Sequence, residues 1–295
     1  MLKHRLISFP LLIALGALIF CWKAGGFYLY TIVAPLALGL AVYEAAAMLQ
    51  KAGVASYPKL TGLAAALLAL GGLNLQWVLE KFPLSTRIDL MVSGAAGLLL
   101  LPALVLIFRK EGILEKIIGS AGVLLTLGLP LLATVCCWNL RIPAFNFNPF
   151  ASEGVSAMLF LIAVSKSMDT GGYIFGMLSA RFLPGGNHKI APSISPKKSW
   201  EGTVGGLIFS VGTALLFYKY NPVIGTEIWK YIVCGIVLGL GSFAGDLTES
   251  AVKRICGVKD SNHIIPGMGG AFDVLDSFIY NGIVFTLLLI VFGGK

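Results

Sequence analysis

Charged residues are scarce in this sequence. Only 12% of its 295 residues are Asp, Glu, Lys or Arg, whereas 57% are hydrophobic. A chain this apolar cannot hide its nonpolar side chains inside one water-soluble core, which excludes an ordinary soluble domain. Most of its surface is therefore expected to face lipid.

Several metal, redox and nucleotide motifs are missing as well. The five cysteines form no Cys-x-x-Cys pair, so neither a zinc site nor a disulfide framework is indicated, and they are interpreted as small hydrophobic residues. The three histidines, His4, His188 and His263, are too far apart in sequence to suggest a metal site. No glycine pattern matches a P-loop or a dinucleotide-binding motif. The chain also lacks repeats, low-complexity tracts and long linkers.

Long apolar segments, in contrast, recur along the whole chain. A helix needs about 20 apolar residues to cross a bilayer core of roughly 30 Å. The sequence predicts an all-α fold, a polytopic membrane bundle of about nine transmembrane helices with cytoplasmic polar loops. The predicted spans are roughly 6–22, 27–50, 60–80, 90–108, 117–138, 154–180, 201–218, 228–245 and 277–293. Residues 1–150 are expected to supply N-terminal membrane helices, and 151–295 the catalytic region of the same membrane unit.

Two of these segments have special features. The first follows Lys3, His4 and Arg5 and is expected to be an uncleaved helix, because no clear cleavage site follows it. The sixth contains Lys166 and Asp169, three residues apart, together with several glycines, which makes it the candidate for a broken helix. The pair is either functional or a structural ion pair near the membrane boundary.

The distribution of Lys and Arg predicts the orientation. With a cytoplasmic N-terminus, most of the 22 basic residues fall on the cytoplasmic side, as the positive-inside rule requires. The polar clusters then face the cytoplasm at the cell membrane. The net charge of +8 is explained by this bias and by anionic lipid headgroups, so nucleic acid is not an expected partner.

The first polar cluster precedes the seventh span. It combines hydroxyls, two lysines and glycines at the start of a helix, where free N–H groups and the helix dipole favour an anion. The alternative is an ordinary basic loop in which Ser199 caps the helix. Its candidate ligand-binding residues are Ser195, Lys197, Lys198, Ser199 and Glu201.

The second polar cluster lies between the last two spans. Asp246, Glu249 and Lys253 follow helical spacing at one helix end, and Asp273 and Asp276 are three apart where the next begins. Two helix ends are thus predicted to bring carboxylates toward one point, where Mg²⁺ and phosphate could bind. The alternative is a solvated charged loop. Glu44 is predicted either to snorkel toward the interface or to make a hydrogen bond between helices, and it is not placed in the site.

The second cluster also resembles a known signature. The order of its residues is similar to that of the phosphatidate cytidylyltransferases, also called CDP-diacylglycerol synthases. The matching residues are Ser250 to Arg254, Lys259 to Ser261, Pro266 and Gly267, Gly269 and Gly270, Asp273, and Asp276 and Ser277. Upstream, Asp169 with Gly172 and Gly176, and the run from Ser195 to Gly206, look similar too. This chain differs by having Asn262, Met268 and Val274 where the family usually has Gly, His and Arg.

The resemblance implies that CTP and phosphatidate become CDP-diacylglycerol and pyrophosphate with Mg²⁺, and it leaves a homodimer as the candidate assembly. It implies metal ligation by Asp246, Asp273 and Asp276. It implies catalytic roles for Lys253, Arg254, Lys259 and Asp260. It also implies that the substrates are bound by Asp169, Ser195, Lys197, Lys198, Ser199, Glu201, Gly269 and Gly270.

Two rival functions remain at this point. A related CTP-dependent membrane lipid transferase or lipid kinase would use a similar site with another lipid acceptor. A secondary transporter of an anionic solute would fit a broken sixth helix. It would also predict acids near the middle of the membrane and an internal repeat, whereas the acids here lie at helix ends.

Overall fold

Membrane-length helices dominate the protein. The computed structural model describes residues 2–22, 25–74, 112–136, 153–267 and 269–293. Within these ranges, five helices are long and apolar enough to cross a membrane, which makes the chain a polytopic helical membrane protein. They are Tyr28–Lys51, Glu115–Val135, Trp200–Tyr220, Ile228–Ile255 and Ala271–Phe292. The span predicted at 90–108 lies outside the described residues.

The chain forms two compact units. The first contains Met1–Asn139 and Val252–Leu275, and the second contains Leu140–Ala251 and Asp276–Lys295. The division predicted near residue 150 did not include this return of residues 252–275 to the N-terminal helices.

The first unit is built around a close pair of helices. Its helices are α1 (Leu2–Cys21), α2 (Gly26–Lys51), α3 (Pro58–Asn74), α4 (Ile113–Val123), α5 (Leu129–Cys136) and the short α9 (Ala271–Leu275), with a π-helical turn at Leu124–Gly128 between α4 and α5. Gly39 of α2 and Gly62 of α3 face each other's carbonyl oxygens, so an added Cβ at either position would collide with backbone. Small residues at a crossing let membrane helices approach closely.

The second unit holds the remaining elements. They are α6 (Glu153–Phe182), β1 (Lys189–Ala191), β2 (Ser195–Ser199), α7 (Trp200–Tyr220), α8 (Ile228–Ile255, up to Ala251 in this unit) and α10 (Phe278–Gly293). Its aromatic core centres on Phe160, whose ring contacts those of Phe217, Tyr231 and Phe285. A core of this kind holds α6, α7, α8 and α10 together beneath the polar residues.

Helix α6 is continuous, so the break expected in the sixth segment is absent. Its glycines serve helix packing instead. Gly171 lies against the carbonyl oxygen of Gly205, and Gly202 lies against that of Gly172. The two helices therefore approach closely where the sequence suggested an interruption.

The polar loop before α7 also corrects the all-α prediction. Strands β1 and β2 pair antiparallel, with Lys189 opposite Ser199 and Ala191 opposite Ser195. The hairpin leads directly into α7, because Ser199 is both the last residue of β2 and the N-cap of the helix. It therefore fixes the place of the two lysines on β2, Lys197 and Lys198.

Candidate functional site

Three acidic side chains meet in the second unit. Asp246 and Glu249 lie one turn apart on α8, and Asp276 lies two residues before the start of α10. Each offers one oxygen, and these three oxygens all lie within 4.8 Å of one another. Ser277 N donates to Asp276 Oδ1 over 2.6 Å, which fixes that carboxylate at the start of α10. We call these three residues the acid cluster.

A lysine from the hairpin neutralises part of this charge. Lys198 Nζ lies 2.7 Å from Asp246 Oδ2 and donates to the carbonyl oxygen of Phe243 over 3.2 Å. The same ammonium lies 4.3 Å from the centre of the Phe243 ring, within cation–π range. Only 15% of the Lys198 side chain is exposed. The hairpin thus delivers a largely buried cation to the acid cluster.

Helix α6 supplies a second lysine. Lys166 Nζ lies 3.2 Å from Asp169 Oδ2 and 3.6 Å from Asp276 Oδ1, and it donates to Ser277 Oγ. The prediction that Lys166 and Asp169 share a helix face is confirmed. The lysine also reaches Asp276, so the pair belongs to the same polar region as the acid cluster.

The donor set suits a divalent cation. Lys166 and Lys198 lie among four carboxylates, those of Asp169, Asp246, Glu249 and Asp276, so ionised carboxylates leave an excess of negative charge. Carboxylate oxygens are the preferred protein ligands of Mg²⁺, which is usually bound through one or two of them together with phosphate. The residues of the acid cluster therefore fit the metal that the sequence predicted.

The short helix α9 of the first unit, which follows a glycine-rich loop, holds the third acid predicted as a metal ligand, Asp273. Asp273 accepts hydrogen bonds from Ser261 N over 3.1 Å and from Gly270 N over 2.8 Å. Lys253 Nζ lies 3.2 Å from its Oδ1, and 9% of the Asp273 side chain is exposed. The role of Asp273 in metal binding stays a prediction, and its observed role is to organise this loop.

Glycines shape the same loop. Gly267 and Gly269 have φ angles of 80° and 101°, in the left-handed region that favours glycine. Ile265 and Gly269 exchange backbone hydrogen bonds of 2.9 and 3.1 Å across this turn. The N–H groups of Gly269 and Gly270, both predicted to bind substrate, are thus used within the loop.

The remaining predicted residues divide between exposed and structural positions. The side chains of Lys197, Arg254, Lys259 and Asp260 are exposed, and Ser195 is half-buried. Glu201 accepts hydrogen bonds from the backbone N–H of His188 over 3.2 Å, which ties the hairpin to α7. These contacts place Glu201 in the hairpin framework.

Ser199 confirms the capping alternative. Its Oγ accepts from Gly202 N over 3.2 Å, and the residue is 2% exposed. Replacing an N-cap serine with alanine costs about 1 kcal/mol of stability. We expect Ser199→Ala to lower the melting temperature of the detergent-solubilised protein, whereas Ser193→Ala, at an exposed position of the hairpin turn, leaves it unchanged. Equal melting temperatures for both variants would contradict the capping role.

Sequence reasoning left Lys166, Glu249 and Glu44 out of the predicted site. Glu249 carries a usable signal, because it follows Asp246 by three residues and so shares its helix face. Lys166 and Glu44 carry a weaker one, an ionisable side chain inside an apolar segment. The more distant partners of Lys166, which are Asp276 and Ser277, and the partners of Glu44 lie far away in sequence, and no local pattern reveals them.

Known proteins resemble this chain over about half its length. It is 42% identical over 142 residues to the phosphatidate cytidylyltransferase of Staphylococcus saprophyticus, covering 47% of this chain and 51% of that protein. The phosphatidate cytidylyltransferase of Staphylococcus epidermidis is 40% identical over 161 residues, covering 54% and 59%. That of Haemophilus influenzae is 37% identical over 142 residues, covering 47% and 46%.

The chain spans about half the length of the curated relatives it matches. The sequence profile of the cytidylyltransferase family extends much further and matches residues 3–292. That match includes both described units, with the acid cluster and the loop around Asp273. The chain belongs to the cytidylyltransferase family.

Proposed function

We propose that this protein is a phosphatidate cytidylyltransferase, which transfers CMP from CTP to phosphatidate and releases pyrophosphate. The observation that carries the proposal is the acid cluster with its lysines, Lys166 and Lys198. Hard oxygen ligands beside ammonium groups suit a nucleoside triphosphate and a second phosphate. Family membership and the names of the three relatives support the same activity.

The chemistry needs alignment of two anions. A phosphate oxygen of phosphatidate attacks the α-phosphorus of CTP, a new oxygen–phosphorus bond forms, and the bond to the β-phosphate oxygen breaks to release pyrophosphate. A phosphate monoester has a second pKa of about 6, so the nucleophile is already ionised near neutral pH and needs no general base. Charge neutralisation and positioning are then the main tasks of the protein.

We assign these tasks to the residues described above. Asp246, Glu249 and Asp276 would hold Mg²⁺, which when bound neutralises phosphate charge and stabilises the leaving pyrophosphate. Lys198 and Lys166 orient the acid cluster through their ion pairs and offer positive charge to phosphate. The exposed side chain of Lys197 on the hairpin provides a further cation for either substrate. The catalytic roles of Arg254 and Lys259 stay predictions from the sequence.

The finer predictions about membrane placement and assembly are part of this proposal. We propose about nine transmembrane helices in the bacterial cell membrane, with the active site facing the cytoplasm, where soluble CTP meets the lipid substrate. The apolar helices and the positive-inside bias of Lys and Arg support this orientation. A homodimer is the proposed assembly, and nucleic acid is not a proposed partner.

A labelling experiment tests the activity and separates its rivals. Purified protein in detergent is incubated with Mg²⁺, phosphatidate or diacylglycerol, and CTP labelled at the α- or the γ-phosphate. We expect α-label in lipid with phosphatidate alone, and γ-label only in pyrophosphate. Transfer of γ-label to diacylglycerol would identify a lipid kinase.

Two further outcomes would also overturn the proposal. Transfer of α-label to another lipid, but not to phosphatidate, would identify a related transferase. Absence of labelled lipid in every mixture, together with uptake of an anionic solute by proteoliposomes, would identify a transporter.

Omission of Mg²⁺ is expected to abolish the transfer of α-label, since the acid cluster has an excess of negative charge without a metal.

A further inference from the structure

A carboxylate lies buried within an apolar helix. Glu44 belongs to α2, within the candidate span Tyr28–Lys51, and only 1% of it is exposed. Burying a carboxylate in an apolar setting is costly unless hydrogen bonds compensate it. A residue of this kind inside a membrane span suggests a function by default.

Glu44 is bonded to the glycine-rich loop of its own unit. Its Oε2 accepts from Ser261 Oγ over 3.0 Å and from Phe272 N over 2.9 Å. Gly270 lies so close that an added Cβ would collide with both the Glu44 carboxylate and Ser261 Oγ. A side chain at position 270 would therefore displace the Glu44 carboxylate and the Ser261 hydroxyl from their present positions.

Ser261 joins Glu44 to the acid at the end of this loop. Its N–H donates to Asp273, while its hydroxyl donates to Glu44. Near the other end of the loop, Gly270 N donates to Asp273 and Phe272 N donates to Glu44. The carboxylates of Glu44 and Asp273 thus hold residues 261 and 270–272 together. The orientation of Asp273 in turn depends on the position of these residues.

We propose that Glu44 is a positioning residue that fixes residues 261–272, which are the glycine-rich loop and the first two residues of α9, and through them Asp273. The relevance of this loop to catalysis rests on the proposed function. An ionised Glu44 would make each of its hydrogen bonds to the loop charge-assisted and therefore stronger than a neutral equivalent. Its second oxygen, Oε1, is buried and has no hydrogen-bond partner among the described residues, so all the hydrogen bonds observed for the carboxylate are made to the loop.

The test compares Glu44→Ala and Glu44→Gln with Gln50→Ala. Gln50 is a matched control, since it lies on the same helix and donates to the backbone of another loop, at Ser56 O over 3.1 Å. Hydrogen exchange of the peptides covering 261–272 and steady-state kinetics are measured on full-length protein in detergent. Rates are normalised to the folded fraction, so that a general loss of stability does not count.

We expect Glu44→Ala to speed exchange of the loop amides about tenfold and to lower kcat about tenfold, with KM for CTP changed less than about twofold. Glu44→Gln should restore at least half of the kcat, because an amide oxygen can accept both hydrogen bonds. Gln50→Ala should leave both quantities unchanged. Ser261→Ala should add little to Glu44→Ala, since the Ser261 hydroxyl donates to Glu44 and that bond is already lost in Glu44→Ala.

Three results would overturn the proposal. They are unchanged loop exchange in Glu44→Ala, faster exchange with an unchanged kcat, and full additivity of Glu44→Ala with Ser261→Ala. The exchange measurement does not depend on activity. If the wild-type protein failed to make CDP-diacylglycerol, the proposed function would be wrong. Faster exchange of the loop amides in Glu44→Ala would still show that Glu44 fixes the loop, and unchanged exchange would still show that it does not.

Discussion

Replacing Asp246 with asparagine is expected to lower the rate of CDP-diacylglycerol formation at least about 1000-fold. The change removes one of the three clustered carboxylates and the counter-charge that lies 2.7 Å from Lys198. An amide is a weaker ligand for Mg²⁺ than a carboxylate, and it does not balance the ammonium group. The measurement is the initial rate of α-label transfer from CTP to phosphatidate at saturating substrates.

Glu227→Gln is the matched control for this variant. Glu227 also pairs with a lysine, Lys230, at 2.8 Å, but it lies immediately before Ile228, the first residue of α8. The eighteen helical residues 228–245 span about 27 Å, so the control breaks an acid–lysine pair at the start of α8 without touching the acid cluster. Rates of Asp246→Asn within tenfold of Glu227→Gln would contradict the assignment of Asp246.

The membrane helices could be predicted from the sequence because their signal is local. A run of about 20 apolar residues has few alternatives to a transmembrane helix. The predictions at 27–50, 117–138, 201–218, 228–245 and 277–293 are confirmed by helices long and apolar enough to span. The shared helix face of Lys166 and Asp169 could be predicted for the same reason, since residues three apart are neighbours on a helix.

The partners within the site could not be predicted because they lie far apart in sequence. Ser261 and Glu44 are separated by 217 positions, and no spacing rule connects them. Lys198 was expected to bind an anionic ligand, whereas the structure pairs it with Asp246. The residue types thus predicted that the cluster is acidic and basic, but they did not predict which side chains contact each other.

The hairpin and the continuous α6 show where sequence patterns mislead. Strands β1 and β2 have three and five residues and a mixed polar composition, too short for an alternating pattern to stand out. Gly171 and Gly172 suggested a break, because glycine is unfavourable within helices. In α6 the absence of side chains instead permits close contact with α7, which offsets that cost.

Asp273→Asn is the second change with a large expected effect. Asparagine keeps one amide oxygen as an acceptor but loses the charge that pairs with Lys253 at 3.2 Å. Removing one partner of a largely buried ion pair costs about 3–5 kcal/mol, because the other charge stays buried. Because Asp273 anchors the loop and is a predicted metal ligand, we expect kcat/KM, normalised to the folded fraction, to fall at least about 100-fold in the same α-label assay.

A double-mutant cycle with Lys253→Met separates the two roles of Asp273. If Asp273 acts mainly by anchoring the loop, the combined variant loses little more than either single one, since both changes break one pair. If Asp273 also binds the metal, as predicted from the sequence, Asp273→Asn additionally raises the Mg²⁺ concentration needed for half-maximal rate, whereas Lys253→Met does not. Glu115→Gln, which removes a carboxylate from α4 of the same unit, should change neither quantity. We expect both effects for Asp273→Asn, and an unchanged Mg²⁺ requirement would limit this residue to holding the loop.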